Sequence, residues 1–233
     1  GNIGGLLAGE RPGQLVDLGL ATVELLDATS LRAVQGLHGV PRVIAELAID
    51  QHAALLVEVH EHNEDSLKTS TARALAYFNE LDLTVPVNMT SDAGERAELW
   101  KVRKGLYTAV AEARPAGTTA ILEDVAVPVG RLLAACQDLS RLFAIHGYED
   151  APIFGHAKDG NVHFMLTERF ETEAGVHRHR AFVEDMVDVV LSHGGSLKAE
   201  HGTGRVMAAF VRRQFGDTLT DIMWDVKRLL DPK

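Results

Sequence analysis

One stretch of this chain decides its fold: Phe154-Gly155-His156-Ala157-Lys158-Asp159-Gly160-Asn161-Val162-His163-Phe164. It places an Asp159-Gly160 pair between two apolar runs, which is the usual signal of a tight β-hairpin. If these two residues form the whole loop, His156 lies directly opposite His163, and directly opposed residues have Cβ atoms roughly 5 Å apart. Two imidazoles at that separation can hold one divalent metal ion. The stretch therefore predicts both an antiparallel hairpin and a pair of metal-ligating histidines.

The chain carries a second motif, Gly194-Gly195-Ser196-Leu197-Lys198-Ala199-Glu200-His201-Gly202-Thr203-Gly204. It adds a carboxylate and another histidine, and adjacent side chains of an extended segment point apart, so Glu200 and His201 can take separate roles. The glycines allow sharp bends and a close approach of the backbone to a flat ring. They do not form a dinucleotide fingerprint, because no Gly-x-Gly-x-x-Gly follows a strand. The two motifs together predict a metal-assisted active site.

Composition excludes several classes of partner. The net charge is -10, and the chain has no lysine or arginine block, which argues against nucleic acid. The single cysteine, Cys136, excludes a disulfide framework and an iron-sulfur cluster within the chain. No apolar run approaches the roughly 20 residues that a bilayer span needs, and no secretory signal is visible. We therefore expect a cytoplasmic location, with peripheral attachment to the inner face of the membrane as a variant.

Apolar periodicity divides the chain into strands and helices. Strands are predicted at residues 23–28, 53–60, 84–89 and 118–128 and in a hairpin at 152–167; helices are predicted at 65–81, 92–113, 129–146, 176–193, 206–215 and 219–230. This order predicts an α+β fold, a largely antiparallel sheet with helices packed on one face. We expect residues 1–16 to be a linker, 17–202 to be the domain and 203–233 to be its helical extension.

The helix predicted at residues 92–113 carries an arginine in an apolar stripe. Trp100, Arg103, Tyr107 and Val110 follow one another at spacings of three, four and three, which places them on one face. Two interpretations of the arginine remain open. Arg103 either reaches solvent past Trp100 with its stem covering apolar surface, or it grips a carboxylate in bidentate fashion.

Three segments resemble the signatures of one family: Gly155 to His163, Ala199 to Gly202, and Leu99-Trp100-Lys101-Val102-Arg103-Lys104. The family is the C-terminal (cap) domain of FAD-linked oxidases of the D-lactate and D-2-hydroxy-acid dehydrogenase type, in the vanillyl-alcohol oxidase-like flavoprotein superfamily. Its patterns are Gly-His-x-x-Asp-Gly-Asn-x-His, Ala-Glu-His-Gly and Trp-x-x-Arg. The resemblance implies a ferredoxin-like α+β fold, with FAD bound mainly by a domain upstream of this chain.

The resemblance also implies a reaction, the oxidation of a small 2-hydroxy acid to a 2-keto acid by hydride transfer to flavin. The family's metal ligands, for zinc or manganese, fall on His156, His163 and Glu200. Its general base falls on His201 and its carboxylate-binding arginine on Arg103. The positions implied for cofactor contact are Gly202, Gly204 and Asn161, although Asn161 also suits the turn itself.

Departures from the family pattern bear on substrate and electron acceptor. Members that oxidise hydroxy diacids tend to have a polar residue where this chain has Met165, and a lysine in the strand that here offers Leu122. The resemblance therefore implies D-lactate rather than D-2-hydroxyglutarate. Lys158 is typical of long bacterial relatives with an iron-sulfur module, so we expect an iron-sulfur or quinone-linked acceptor.

Two other functions remain open from sequence. The first is a metal-dependent hydrolase, in which the histidine pair and Glu200 activate water and His201 is the acid-base residue. The second is a non-catalytic subunit of an oxidase complex that keeps the fold for assembly. Four intact residues argue against the second, because assembly alone does not need all of them: His156, His163, Glu200 and His201.

Overall fold

The computed structural model describes residues 18–51 and 53–232, and in this part of the chain five strands form one sheet. Their order is β2-β1-β4-β5-β3, and every neighbouring pair is antiparallel. The strands are β1 (Thr22–Leu26), β2 (Ala54–Glu58), β3 (Thr119–Ala126), β4 (Ile153–His156) and β5 (Asn161–Glu168). The predicted α+β class and antiparallel sheet are confirmed. The linker predicted at 1–16 lies outside the described residues, and the boundary at residue 202 stays a prediction.

The helices of the described residues are α1 (Ala28–Gln35), α2 (Arg42–Ala45), α3 (Glu64–Asn79), α4 (Ala93–Ala113), α5 (Leu132–His146), α6 (Glu173–Ser192), α7 (Gly204–Ala208) and α8 (Val211–Leu230). Four of them begin at a side chain that accepts a hydrogen bond from the backbone N–H three residues on, namely Asp27, Asn63, Asp92 and Thr172. Helix α8 is interrupted at Gly216, where φ is 74°. This break lies between the two terminal helices that the sequence predicts.

Helices cover both faces of the sheet, whereas the sequence prediction placed them on one. On one face, Phe164 and Leu166 of β5 join a large apolar cluster with α5 and α6. On the other face, Phe154 and Met165 join a smaller cluster with α1 and α4. Successive residues of a strand point to opposite faces, so β5 is buried on both sides. The smaller cluster sits beside the polar residues described below.

The strand predicted at 84–89 does not form. These residues have no strand structure. Pro86 stands in the middle of the segment, and proline has no N–H to donate to a β-ladder. The other predicted strands differ from the observed ones by one or two residues at each end.

The hairpin has a longer loop than predicted. A 3-10 turn at Ala157–Asp159 and Gly160 form a four-residue connection, so His156 pairs with Asn161, and Phe154 pairs with His163. Gly160 has φ 68°, and a Cβ there would lie 1.9 Å from the carbonyl oxygen of Val127, so the loop closes tightly against that residue. The prediction that His156 lies directly opposite His163 is wrong by two residues. A shift of two keeps both histidines on one face.

No helix of the described residues has the combination of length and low polarity that crossing a lipid bilayer requires.

Candidate active site

The two hairpin histidines meet on the sheet face that α1 and α4 cover. The ring centroids of His156 and His163 are 5.3 Å apart, and the rings are nearly perpendicular at 89°. The His163 side chain is only 4% exposed, whereas that of His156 is 33% exposed. One histidine is therefore embedded in the protein and the other stands at its surface.

The loop between α6 and α7 brings Glu200 to this pair. Its Oε1 lies 3.2 Å from Nε2 of His156 and 3.0 Å from Nε2 of His163. One ligand atom from each of the three residues lies within 4.8 Å of the others. The structure thus brings together the three predicted metal ligands from two segments far apart in sequence. Their role as ligands stays a prediction.

Asp124 of β3 holds the loop in place. Its Oδ2 accepts hydrogen bonds from the backbone N–H groups of Ala199, Glu200 and His201, at 3.0, 2.8 and 2.8 Å. Its Oδ1 accepts from the Asn161 side chain at 2.7 Å. Because one carboxylate gathers three consecutive N–H groups, it sets the path of the loop and the direction of the side chains on it.

His201 lies against the same cluster. Its ring stacks on His163, with centroids 5.1 Å apart and an interplanar angle of 13°. Its Nε2 is 3.8 Å from Oε1 of Glu200, and its side chain is 41% exposed. Asp124, His163 and His201 also form a second group with ligand atoms within 4.8 Å. An exposed imidazole beside residues that could hold a metal ion is placed to exchange a proton with a bound molecule.

Arg103 reaches the site from α4. Its Nε donates to Oε2 of Glu24 at 2.7 Å, and its guanidinium carbon lies 5.1 Å from the centre of the Phe154 ring. The other carboxylate oxygen of Glu24, Oε1, lies 2.6 Å from Nδ1 of His156. Glu24 therefore joins the arginine to a histidine of the pair. The carboxylate-binding role of Arg103 stays a prediction.

The apolar stripe predicted on α4 is shifted. The buried residues of this helix are Val102, Leu106 and Ala109, with Arg103 beside them, and Tyr107 is 49% exposed. Trp100 is only partly buried, and its Nε1 donates to Glu58 of the edge strand β2 at 2.8 Å.

Electrostatics distinguish the two histidines. Burial lowers the pKa of His163 to about 4, so its ring is neutral at neutral pH. The hydrogen bond with Glu24 raises the pKa of His156, against the effect of burial. Burial opposes the charge on Glu24, but its bonds to His156 and Arg103 outweigh burial and lower its pKa. A neutral imidazole and a carboxylate are the forms that bind a metal ion.

The predicted cofactor residues occupy different settings. Gly202 and Gly204 are exposed and have φ of 73° and 58°, which a residue with a side chain rarely adopts. Asn161 is buried, and its amide donates to Asp124 and to the Val125 carbonyl. Asn161 thus positions Asp124, and the cofactor role of all three residues stays a prediction.

Sequence reasoning missed Glu24 and Asp124. Both are nearly inaccessible, at 3% and 0% exposure, and both lie in strands made mostly of apolar residues. A charged residue inside a strand pattern is costly unless it is paired, and that was the available signal. It would have marked the two acids as partners of buried cations or polar groups.

Comparison with known proteins places this geometry in context. Residues 15–233 match a family model described as "FAD linked oxidases, C-terminal domain". A probable mitochondrial D-lactate dehydrogenase from Danio rerio is 31% identical over 142 residues, which is 61% of this chain and 28% of that protein. Glycolate oxidase subunit GlcD from Bacillus subtilis (strain 168) is 24% identical over 216 residues, 91% of this chain and 43% of that protein. The chain thus spans less than half the length of these relatives.

A solved structure, p-cresol methylhydroxylase with substrate bound, has a TM-score of 0.57 and 13% identity to this chain. The superposition covers 97% of this chain and 47% of that one. At this identity the likeness shows the fold alone.

Proposed function

Since this chain belongs to the family of FAD-linked oxidase C-terminal domains, we propose that it is the metal- and substrate-binding half of an FAD-dependent D-2-hydroxy-acid dehydrogenase, with D-lactate as the substrate. The family match confirms the resemblance drawn from the three motifs. The observation that carries the proposal is the meeting of His156, His163 and Glu200 beside His201 and Arg103.

The residues present fit a divalent metal ion. His156 and His163 turn their Nε2 atoms toward the same oxygen of Glu200, which is the convergence that a shared ligand requires. His163 is neutral at neutral pH, so its ring offers a lone pair without first losing a proton. Two nitrogens and one carboxylate oxygen suit zinc or manganese and leave open positions for a substrate. A bound ion of this kind lowers the pKa of a substrate hydroxyl.

His201 is the general base of the proposed reaction. Its imidazole would take the proton from the substrate hydroxyl, and a bound flavin would accept the hydride from the carbon that bears this hydroxyl. The ring is held by stacking on His163, and its backbone N–H is held by Asp124. The base is thus oriented from two sides while 41% of its side chain stays accessible.

Arg103 binds the substrate carboxylate. Glu24 and the Phe154 ring hold its guanidinium at the edge of the histidine pair. A planar guanidinium can donate two parallel hydrogen bonds to a carboxylate, which fixes the substrate in one orientation.

The apolar pair next to His163 supports a monocarboxylate. Leu122 and Met165 are direct cross-strand partners on the face of the sheet that carries His163. Neither can donate to a second carboxylate, and burying an unpaired charge beside them is costly. D-lactate has only a methyl group at that end, whereas D-2-hydroxyglutarate has a carboxylate.

In this proposal the flavin is bound mainly by a domain upstream of this chain, with Gly202, Gly204 and Asn161 as its proposed contacts on this chain. We further propose that electrons leave through an iron-sulfur or quinone-linked acceptor. The family match and the relatives named above support the proposal of a flavin cofactor. The proposal of this electron acceptor rests only on the sequence Ala157-Lys158-Asp159 in the hairpin motif.

Anaerobic flavin reduction tests the proposal. The full-length protein is mixed with D-lactate, L-lactate or D-2-hydroxyglutarate while the flavin absorbance is recorded. We expect rapid bleaching by D-lactate and at least about tenfold slower bleaching by the other two, because L-lactate has the opposite configuration at the reacting carbon and D-2-hydroxyglutarate carries a second carboxylate that Leu122 and Met165 cannot pair. Equal bleaching by D-2-hydroxyglutarate would refute the substrate assignment. Turnover of an ester or amide by flavin-free protein would favour the hydrolase.

A further inference from the structure

We infer that Glu24 is a positioning residue that orients a metal ligand and the substrate-binding arginine at the same time. Its two carboxylate oxygens are divided between them: Oε1 lies 2.6 Å from Nδ1 of His156, and Oε2 lies 2.7 Å from Nε of Arg103. The Glu24 side chain is 5% exposed, so water cannot readily replace either partner. This inference rests on the proposed function, because it assigns a task to the residues named there.

The contact with His156 selects one protonation form of the ring. An ionised carboxylate can only accept hydrogen bonds, so Nδ1 of His156 carries the proton. The lone pair of the neutral ring is then on Nε2, the atom that lies 3.2 Å from Glu200. A carboxylate behind a ligating histidine fixes the tautomer and raises the basicity of the ligand atom. Glu24 therefore directs the correct nitrogen toward the metal position.

Cross-strand pairing makes this arrangement rigid. Glu24 of β1 and His156 of β4 are direct register partners. The same relation joins Asp124 of β3 to His163 of β5, although there the distance from Oδ1 to Nδ1 is 3.4 Å and no hydrogen bond forms. Each histidine of the hairpin pair thus has an acid on the neighbouring strand, and only Glu24 and His156 are joined by a hydrogen bond.

The contact with Arg103 gives Glu24 its second task. Arg103 donates its Nε–H to Glu24, and this bond holds the plane of the guanidinium. The terminal nitrogens of Arg103 then face a substrate in a fixed direction. The substitution Glu24→Gln keeps the volume of the side chain but leaves one acceptor oxygen for two donors. Its amide NH₂ must face either His156 or Arg103, where it meets another N–H.

Metal affinity and substrate affinity are therefore the two quantities to measure. In the full-length protein, competition with a chromophoric chelator gives the affinity for Zn²⁺ and Mn²⁺. We expect Glu24→Gln to weaken metal binding by about 10–100-fold, the range for partners of ligating histidines. We also expect KM for D-lactate to rise about tenfold, since a charge-assisted bond that orients the arginine is lost.

A matched control is Glu168→Gln. It also removes a buried carboxylate that binds an arginine, at the other end of β5, and it should leave metal affinity and KM unchanged while lowering stability. A second measurement needs no variant: in wild-type protein loaded with Zn²⁺ and labelled with ¹⁵N-histidine, Nδ1 of His156 should stay protonated. Metal on Nδ1 would overturn the inference.

Failure of the inference about Glu24 can be distinguished from failure of the proposed metal site. If the wild type binds Zn²⁺ and His163→Ala does not, but Glu24→Gln matches the wild type in both affinities, the inference about Glu24 is wrong and the metal site stands. If the wild type binds no more tightly than His163→Ala, the metal site of the proposed function falls, and the inference falls with it.

Discussion

The two ends of strand β5 both carry buried polar groups, and they differ in how completely those groups are paired. At one end, Glu168 accepts from two nitrogens of Arg178, from the Tyr148 hydroxyl and from the Arg169 backbone N–H. At the other end, Nδ1 of His163 is buried without a hydrogen-bond partner. Native proteins pair almost all buried polar atoms, so His163 is the less completely paired of these two buried groups.

The two ends also differ in how their surroundings shift the pKa of the buried group. Burial opposes the charge on Glu168, but its hydrogen bonds with Arg178, Tyr148 and Arg169 together lower its pKa to about 2. Burial lowers the pKa of His163 to about 4, because the nearby carboxylates of Asp124 and Glu200 compensate only in part for the lost water. We call the fully paired network around Glu168 the closed end and the cluster of His156, His163, Glu200 and His201 the open cluster. The closed end keeps its charge and stabilises the fold, whereas the open cluster keeps a neutral imidazole available for binding.

The largest effect is expected from removing the embedded histidine. His163→Ala takes away one of the three proposed metal ligands, and we expect flavin reduction by D-lactate to slow by about 1000-fold, or about 4 kcal/mol of barrier. Metal content should fall with it. His177→Ala, an exposed histidine on α6, is the control and should leave both unchanged. A His163→Ala enzyme that reduces its flavin at the wild-type rate would remove the open cluster from the mechanism.

A smaller effect is expected from replacing His201, and it should distinguish a general base from a metal ligand within the open cluster. His201→Gln is expected to slow flavin reduction by about 100-fold while metal content stays at the wild-type level. Rapid-mixing absorbance and metal analysis measure the two quantities. Loss of the metal in this variant would place His201 in the ligand set instead, through the group that it forms with Asp124 and His163.

Breaking the closed end should affect stability alone. For Glu168→Gln we expect unfolding free energy to fall by about 2 kcal/mol, because Arg178 loses its charged partner but its side chain is 43% exposed and can reach water. Urea unfolding measures this, and flavin reduction should not change. A variant as stable as the wild type would contradict the comparison of the two ends.

The same network predicts a pH dependence. The folded pKa of Glu168 is depressed to about 2 from its ordinary value of 4.5, so the native state holds this proton less tightly than the unfolded chain does. Its stabilisation is therefore complete above pH 4.5 and is lost as pH falls toward 2. Unfolding free energies of the wild type and Glu168→Gln should converge over that range. A constant difference down to pH 2 would refute the assignment.

The smallest effect concerns substrate choice next to the open cluster. Leu122→Lys places an ammonium opposite Met165, and we expect the ratio of kcat/KM for D-2-hydroxyglutarate to that for D-lactate to rise about tenfold. Leu122→Met is the apolar control and should not move the ratio. No change with lysine would show that the second carboxylate does not reach this pair.

Short-range sequence patterns were enough to predict much of this molecule. Contacts between residues far apart in sequence could not be predicted from them. Asp159-Gly160 correctly marked the hairpin, but its register depends on how the loop packs against Val127, which lies far away in sequence. The histidines share a face because a two-residue shift preserves alternation. Glu24 and Asp124 could not be placed, since their partners come from other strands, from α4 and from the loop after α6.

The central claim, that a metal at the histidine pair prepares the substrate for oxidation, is tested most directly by metal removal and replacement. Full-length protein with its flavin intact is stripped with a chelator, mixed anaerobically with D-lactate, and then given Zn²⁺ or Mn²⁺. We predict that the flavin stays oxidised without metal and bleaches when metal is restored, and that metal restores nothing in His163→Ala. Bleaching of the stripped wild-type protein at its original rate would contradict the claim.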